Sequence, residues 1–302
     1  MTRPSAVDIA RALGKPDPTP EQVAVIEAPL SPLLVVAGAG SGKTETMAGR
    51  VVWLVAGGDV APGEVLGLTF TRKAAAELGE RVRSRLRALR RAGLWTPPDP
   101  AAVADDVAGA VDLDVTVATY HSFAGRLVRE QGLRLGVEPE SRLLTEASCW
   151  QLASDVVERW AGDMGAVDYA VSTVVTAVLD LAGEAAEHLV DLDAVDGYLA
   201  EVIHRIEALP YSDAAPSRPG APAKRYADVT ALLGNLAARR QLLPLVRAYQ
   251  QAKRAREALD FGDQLALAAR LARELPDVGG GLRQQYRAVL LDEFQDTSHA
   301  QL

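Results

Sequence analysis

Short apolar runs recur along the chain at the spacing expected of strands separated by helices. Four of them combine apolar and β-branched residues, at residues 33–36 (LLVV), 65–70 (VLGLTF), 115–120 (VTVATY) and 288–291 (AVLL). The first three each precede a helical pattern, of which the clearest is the apolar stripe of Leu78, Val82, Leu86 and Leu89. Strands that alternate with helices predict an α/β fold with a parallel sheet covered on both faces.

Between residues 136 and 250 the strand signals stop and the pattern becomes helical, as in EASCWQLASDVVERWAG. A helical block between strands of one sheet predicts an inserted, all-helical subdomain. We therefore expect residues 1–135 and 251–302 to form one α/β domain, with residues 136–250 as its insert. Segments 95–109 and 210–224 are rich in proline, glycine and small polar residues, which predicts exposed loops.

Composition narrows the class of protein without identifying it. The 302 residues carry a net charge of −8 and one cysteine, Cys149, which excludes a disulfide framework and predicts a reducing, cytoplasmic location. The N-terminus lacks the apolar segment of a signal peptide, and no run approaches the ~18 apolar residues that span a bilayer, so we expect no membrane association. The acidic balance argues against a wholly basic nucleic-acid coat, although eight of residues 72–91 are arginine or lysine.

The first apolar run leads into a glycine-rich turn, AGAGSGKT, at residues 37–44. Its glycines permit a tight turn in which successive backbone N–H groups surround an anion at the start of a helix. Lys43 would reach the β- and γ-phosphates of a nucleotide, and the Thr44 hydroxyl would bind Mg²⁺. The pattern is the P-loop G-x-x-x-x-G-K-S/T, with alanine at the first glycine position. The residues predicted to cradle the nucleotide are Ala37, Gly38, Ala39, Gly40, Ser41, Gly42, Lys43 and Thr44.

An acidic pair follows the last apolar run, in AVLLDEFQDT at residues 288–297. Mg²⁺ prefers oxygen ligands and keeps several waters, so Asp292, just past the predicted strand, is the candidate metal residue together with Thr44. Glu293 is placed to orient and deprotonate the water that attacks the γ-phosphate, which makes it, with Lys43, a candidate catalytic residue. The two halves together predict a nucleotide-hydrolysing site.

Six motifs, in this order, resemble the UvrD/Rep/PcrA group of superfamily 1 DNA helicases: PTPEQVAVI, AGAGSGKT, LGLTFTRKAAAELGERV, VATYHSF, ALDFGDQ and LLDEFQDTSHAQ. The resemblance spans residues 19–302, with the helical insert matched only loosely. The residues of its motifs are most similar to those of actinobacterial relatives. The resemblance implies a RecA-like P-loop NTPase domain that uses ATP and Mg²⁺. It also implies the amino-terminal part of a 3′-to-5′ DNA helicase or translocase of repair or recombination, with single-stranded DNA and duplex junctions as partners.

The resemblance assigns roles outside the phosphate loop as well. Gln22 would hydrogen-bond the adenine edge and make the site prefer ATP. The single-stranded DNA path would be lined by Thr69, Phe70, Thr71, Arg72, Tyr120, His121 and Ser122. Their chemistry fits this role, since Phe70 offers a stacking face and Arg72 and His121 offer donors to phosphates. The DFGD at residues 260–263 is interpreted as a structural element that positions the insert.

Two features depart from the family pattern. Glu45 stands where relatives often carry a basic residue beside the adenine, so we expect nucleotide affinity or its contacts to differ. The chain also ends at Leu302, before the γ-phosphate-sensing glutamine, the second RecA-like lobe and the arginine finger, which would be supplied in cis or in trans. Because a missing arginine finger costs roughly 10³ to 10⁵ in rate, we expect little or no turnover from this chain alone.

Two alternatives from other classes stay open at this point. One is a stand-alone module that binds ATP or single strands without turnover. The other is a P-loop kinase for a small molecule, which the absence of an obvious lid segment disfavours.

Overall fold

The computed structural model describes residues 3–38, 40–96, 115–209 and 226–302, which fold into two compact units. The first unit comprises residues 1–123 and 271–297, and the second comprises residues 124–270 and 298–302. Within the described ranges, no helix has the length and apolar character needed to cross a membrane.

Helices dominate the described chain, and the strands are short. In chain order the elements are α1 (Ala6–Ala12), α2 (Pro20–Ile26), α3 (Lys43–Ala56), β1 (Val65–Thr69), α4 (Arg72–Arg91), β2 (Thr116–Thr119), α5 (Tyr120–Gln131), β3 (Arg142–Leu143), α6 (Glu146–Glu158), α7 (Val171–Glu187), α8 (Leu192–Glu207), α9 (Ala227–Arg254), β4 (Ala258–Leu259), α10 (Phe261–Glu274), α11 (Pro276–Gln285) and β5 (Ala288–Leu291).

The sheet of the first unit is parallel and has the strand order β2-β1-β5. Central strand β1 is buried along its whole length, as expected of a parallel strand covered on both faces. A Cβ at Gly67 would lie 3.3 Å from Val117 of β2, so a larger residue at 67 would crowd its neighbour. Three of the four predicted strands are confirmed, and the α/β class is confirmed as a mostly helical chain with a small parallel sheet.

The prediction of a strand at residues 33–36 is wrong. These residues pair with no strand of the described chain, and their side chains are exposed, Val36 at 89%. An apolar run becomes a strand only where another strand accepts its backbone hydrogen bonds, and the run does not supply that partner itself. The run therefore leads into the glycine-rich loop as an unpaired apolar segment.

The core of the first unit lies between α3, α4 and the sheet. Helix α4 contributes the predicted apolar stripe, and all four of its members, Leu78, Val82, Leu86 and Leu89, are buried. Helix α3 faces them with Val51, Val52, Leu54 and Val55, which are equally buried. This packing fixes the two helices that begin at the glycine-rich loop and just beyond β1.

The second unit is built from α6 to α9 around its own core. Its most buried side chains come from α7 and α9 and include Val175, Val178, Leu243, Val246 and Tyr249. Strands β3 and β4 add a two-residue parallel pair, so the prediction of an all-helical stretch over residues 136–250 is wrong at β3. How residues 1–135, 136–250 and 251–302 divide into domains stays a prediction.

The two predicted loops fall largely beyond what the structure describes. Residues 210–224 and 97–109 lie outside the described residues. Trp95, at the start of the earlier segment, is buried in the core of the first unit, so the prediction of exposure is wrong there.

Candidate functional site

The glycine-rich loop is a tight turn that ends in a helix without a side-chain cap. Gly40 and Gly42 have φ angles of +76° and +83°, a left-handed conformation that favours glycine. The Ser41 hydroxyl closes the turn by donating to the Gly38 carbonyl at 2.8 Å. Because Gly42 caps α3 without a side-chain acceptor, the first N–H groups of that helix face an anion site with no competitor from the cap residue. Ala39 lies outside the described residues.

Lys43 closes over the loop that it follows. Its Nζ donates to the Ala37 carbonyl at 3.2 Å, and one turn later the Thr46 hydroxyl donates to the Gly42 carbonyl at 3.1 Å. A lysine ammonium has three protons to donate, so this bond leaves it capacity for a ligand. Lys43 and Thr44, predicted to meet the phosphates and the metal, are the first two residues of α3.

Gln22 joins α2 to the glycine-rich loop. Its Oε1 accepts from the Thr19 backbone N–H at 3.1 Å, and its Nε2 donates to the Ser41 carbonyl at 3.2 Å. A side-chain amide carries two N–H donors and two acceptor lone pairs, so one donor and one acceptor stay available for a ligand edge. Gln22 is therefore held beside the loop with half of its hydrogen-bonding capacity unused.

Arg50 is a positioning residue that the sequence patterns did not reveal. It is buried on α3, and its guanidinium donates to the carbonyls of Val25, Ala28 and Pro29 at 2.8 to 3.0 Å, at the end of α2 and just beyond it. Burial lowers the pKa of Arg50 below the usual arginine value, yet a guanidinium stays charged. The sequence feature that indicates this role is a single arginine in the apolar part of α3, next to Val51 and Val52.

The carboxylates lie where β5 ends. The Asp292 N–H donates to the Leu68 carbonyl at 2.9 Å, which extends the pairing of β5 with β1 by one residue. Burial and then the negative charge of Glu293 raise the pKa of Asp292, while the positive charge of Lys43 acts in the opposite direction. The structure therefore brings Lys43 and Asp292 within electrostatic reach of each other.

Glu293 has a φ angle of +50°, a left-handed conformation uncommon for a residue with a side chain. Its N–H donates to the Asp292 carboxylate at 3.1 Å, and its own carboxylate accepts from Gln295 Nε2 at 2.6 Å. Glu293 is exposed, so its carboxylate faces solvent. Such strained backbone clusters at functional sites, which supports a specific role for this turn.

Phe70 and Tyr120 form an aromatic pair just past the ends of β1 and β2. Their ring centroids are 5.1 Å apart, Phe70 is partly exposed, and Tyr120 is 4% exposed. The Tyr120 hydroxyl lies 3.3 Å from the Thr297 hydroxyl, and burial raises the pKa of the tyrosine. A base cannot stack on a buried ring, so Tyr120 supports Phe70 from behind.

The other predicted DNA contacts differ in how accessible they are. Thr69 is buried and donates its hydroxyl to the Thr71 carbonyl, whereas Thr71 caps α4 by accepting from the Ala74 N–H at 3.1 Å. The Ser122 N–H donates to the Thr119 hydroxyl at 3.1 Å, and the Thr119 hydroxyl donates to the Ser122 hydroxyl at 2.8 Å.

Two predicted donors, Arg72 and His121, complete this group. Arg72 is exposed on the first turn of α4. Burial lowers the pKa of His121, which keeps its imidazole neutral at pH 7. His121 can therefore offer a hydrogen bond to a nucleic acid but no charge.

The predicted residues that follow β1, β2 and β5 lie at one edge of the sheet. Because β1, β2 and β5 are parallel, the residues that follow them gather where ligands of open α/β sheets bind. The glycine-rich loop, the Asp292–Glu293 turn and the Phe70–Tyr120 pair belong to the same compact unit. The arrangement is suited to hold a polyanion against Lys43, with Asp292 within reach of the charge of that lysine.

The comparison with known proteins agrees with this geometry. The sequence model of the UvrD/REP helicase N-terminal domain matches residues 18–302, so the chain belongs to that family. It is 28% identical over 299 residues to the ATP-dependent DNA helicase UvrD1 of Mycobacterium leprae, covering 97% of this chain and 30% of that protein. It is also 24% identical over 282 residues to the ATP-dependent DNA helicase PcrA of Bacillus subtilis, covering 93% and 30%.

The matches cover nearly all of this chain but less than a third of each relative. The chain spans about 30% of the curated relatives that it matches. The family predicted from six sequence motifs is confirmed.

Proposed function

We propose that this chain is the amino-terminal, ATP-binding portion of an ATP-dependent DNA helicase, and that its nucleotide lies between the glycine-rich loop and the end of β5. The observation that carries the proposal is the Lys43 ammonium held over the glycine-rich loop, near enough to Asp292 at the end of β5 for its positive charge to act on the pKa of that carboxyl. This proximity supports a single site formed from two motifs 249 residues apart in sequence (292 − 43).

In this proposal the loop binds phosphates through backbone N–H groups of residues 38 to 44, Ala39 among them, and through the Lys43 ammonium. Lys43 exchanges its contact with the Ala37 carbonyl for β- and γ-phosphate oxygens, to which it is attracted by charge. Gln22 uses its remaining donor and acceptor for the complementary pair on the adenine edge. Since Gln22 also bonds Ser41, base and phosphate recognition meet at one side chain.

Thr44 and Asp292 are a donor set that fits Mg²⁺, since a hydroxyl and a carboxylate leave room for the waters that this ion retains. The raised pKa of Asp292 fits as well, because a carboxylate crowded by burial and by Glu293 gains from a cation. When bound, Mg²⁺ would neutralise charge on the phosphates. Glu293, exposed beside Asp292, orients and accepts a proton from the attacking water.

The DNA part of the proposal rests on Phe70 as an exposed stacking face, supported by Tyr120. Stacking of a base on an aromatic side chain is worth ~1–3 kcal/mol and ignores sequence, as a translocating protein requires. Thr71, Arg72, His121 and Ser122 supply polar contacts to the strand. Thr69, being buried, acts through the carbonyl of Thr71 that it holds.

For the whole protein we propose a 3′-to-5′ helicase or translocase of DNA repair or recombination that works at junctions of single strand and duplex. Residues 1–135 and 251–302 form its first RecA-like domain, and residues 136–250 form a subdomain inserted into it. A second RecA-like lobe, in cis or in trans, completes the motor and supplies the arginine finger. This chain alone therefore turns over ATP slowly or not at all.

The test is ATP turnover with and without single-stranded DNA, measured on this chain and on a longer chain that includes the following lobe, each beside its Lys43→Ala variant. We expect DNA-stimulated turnover in the longer chain only, abolished by Lys43→Ala. Rapid turnover by the 302-residue chain would refute the need for a second lobe. Nucleotide binding without turnover in both would favour a binding module.

A further inference from the structure

Glu45 gathers three cations from two other parts of the first unit. It lies in the first turn of α3, two residues after Lys43. Its Oε1 accepts from Lys15 Nζ at 3.2 Å and from Arg85 Nη2, and its Oε2 accepts from Arg81 Nη1 at 3.1 Å. Lys15 belongs to the connection between α1 and α2, and both arginines belong to α4.

The members of this cluster differ in how much they depend on Glu45. Arg85 is 5% exposed, and its Nε has no hydrogen-bond partner within the described residues. Lys15 and Arg81 are partly exposed and can also interact with water. Loss of the counter-ion of a buried guanidinium strongly destabilises a protein, so removal of Glu45 should affect Arg85 more than it affects Lys15 or Arg81.

Glu45 is ionised at neutral pH. Its two carboxylate oxygens accept hydrogen bonds from the Lys15 ammonium and from the Arg81 and Arg85 guanidinium groups, which all favour the charged form. The carboxylate therefore acts as a fixed negative charge among three positive ones. Glu45, Lys15 and Arg85 also line a cavity of about 360 Å³, which Gln22 borders.

We propose that Glu45 is a positioning residue for the nucleotide, an inference that rests on the proposed function. By holding Arg81 and Arg85 of α4 and the lysine of the α1–α2 connection, it fixes the first turn of α3. That turn carries Lys43, and the α1–α2 connection leads to the helix that carries Gln22. Glu45 thus sets the geometry in which the phosphate and base contacts are made together.

The direction in which Glu45→Gln changes nucleotide affinity distinguishes a positioning role from simple charge repulsion. A carboxylate beside a phosphate site repels the ligand, so a purely Coulombic account predicts that Glu45→Gln tightens nucleotide binding. Our proposal predicts the opposite. Without Glu45, three cations repel one another at the start of α3, and the turn that carries Lys43 shifts.

The experiment is calorimetric titration of the chain with ADP in the presence of Mg²⁺. We expect Glu45→Gln to weaken ADP binding roughly tenfold, since small misplacements of a binding group are costly. Glu45→Asp, which keeps the charge but shortens its reach, should weaken binding less. Glu80→Gln is the matched control, because Glu80 is an exposed carboxylate of α4 whose ion pairs among the described residues are with Arg83 and Arg87 of its own helix. This variant should bind ADP as the wild type does.

Each outcome decides a different question. Unchanged or tighter ADP binding by Glu45→Gln, with wild-type binding intact, would overturn the inference and leave the proposed function standing. No binding by the wild type would overturn the nucleotide site itself, and the inference with it. If melting curves show that Glu45→Gln is unfolded, Glu45→Asp decides, and unchanged or tighter binding by that variant refutes the positioning role.

A double variant tests whether the cations act through one carboxylate. Arg81 is partly exposed, so Arg81→Gln should fold. If Arg81 acts through Glu45, adding Arg81→Gln to Glu45→Gln should weaken ADP binding little further. Fully additive losses would show that the two side chains act independently, which contradicts the inference.

Discussion

Lys43 is the residue on which the proposed phosphate site most depends, because its ammonium is held over the glycine-rich loop. We predict that Lys43→Ala weakens ATP or ADP binding roughly 10- to 100-fold, since hydrogen bonds to charged groups are worth ~1.5–3 kcal/mol. Titration calorimetry measures the loss. Arg254→Ala, which removes an exposed cation of the second unit, is the control. Equal affinity in the wild type and Lys43→Ala would place the nucleotide elsewhere.

Asp292 gives a pH-dependent prediction. Its pKa is raised by burial and by Glu293, so the folded chain holds this proton more tightly than the unfolded chain does. Stability contributed by the protonated form is therefore lost as pH rises from the usual aspartate range, near 4, through the raised pKa.

We accordingly predict that Asp292→Asn is more stable than the wild type at pH 7 and that the difference shrinks toward pH 4. Urea unfolding of both proteins across this range measures the difference, which cancels the other titrating groups. A wild type that is the more stable of the two at pH 7 would contradict the assigned environment. The same variant should lose Mg²⁺-dependent nucleotide binding, so stability and function oppose each other at this residue.

At the same scale, the sequence predicts the residues proposed to bind a ligand more readily than the residues that hold them in place. Lys43, Thr44 and Asp292 belong to motifs whose spacing alone identifies them. Arg50 and Glu45 do not, because whether a charged side chain is buried and paired depends on residues distant in sequence. Arg50 meets the carbonyls of residues 25 to 29, and Glu45 meets Arg85 forty positions away.

Among the elements, the helices and the buried strands were the most predictable. Leu78, Val82, Leu86 and Leu89 recur with the helical period, and the observed α4 buries all four. Val65 to Thr69 is apolar and β-branched, and it became the central strand. Residues 33–36 are also apolar and β-branched but form no strand, because strand pairing depends on two segments and composition describes only one.

The joint between α9 and α10 contains a buried ionic cluster of the second unit. Lys253, 3% exposed, contacts the carboxylates of Asp260 and Asp263, and the Tyr249 hydroxyl donates to Asp260. Although burial tends to raise both carboxyl pKa values, the charge of Lys253 keeps that of Asp260 low, whereas that of Asp263 stays raised. One lysine thus faces two carboxyl groups.

This imbalance predicts unequal effects of two substitutions. Lys253→Met leaves two buried acids without a counter-ion and should destabilise the protein by ~3–5 kcal/mol. Asp263→Asn leaves a one-to-one pair and should be much milder. Urea unfolding followed by circular dichroism compares them, with Arg254→Met as the exposed control. Equal losses in both variants would show that charge balance does not govern the cluster.

For the molecule as a whole, sequence reasoning identified the family and the class of fold, whereas the predicted division into domains stays a prediction. Six motifs sufficed for the family because each encodes local chemistry. The structure divides into two compact units because two separate cores form. Two boundaries between the units lie within α5 and within α10, and no change in composition marks either of them. Helix α5 continues through the first boundary, and its helical pattern is the same on both sides of Gly125.

The exposed run at residues 33–36 gives a prediction about solution behaviour. Exposed, unpaired apolar segments promote association between molecules. Leu34→Lys and Val36→Lys remove side chains that are 70% and 89% exposed, so they should leave the free energy of unfolding unchanged to within ~0.5 kcal/mol.

Light scattering against concentration should show less self-association in both variants. Tyr198→Lys, which changes an isolated exposed side chain of the second unit, should not reduce it. Identical scattering by all three variants and the wild type would show that residues 33–36 do not drive association.

The same unpaired run has a consequence for proteolysis. Proteases bind their substrates in extended form, and an accessible segment outside regular structure is a preferred site for nicking. Leu33 and Leu34 offer apolar side chains to a chymotrypsin-like enzyme at such a place. A single cut there separates the piece that carries Gln22 from the piece that carries Lys43, although Arg50 still binds the carbonyls of residues 25 to 29. The chain would therefore be cut into two fragments, while the Arg50 hydrogen bonds hold the two parts of the proposed nucleotide site together.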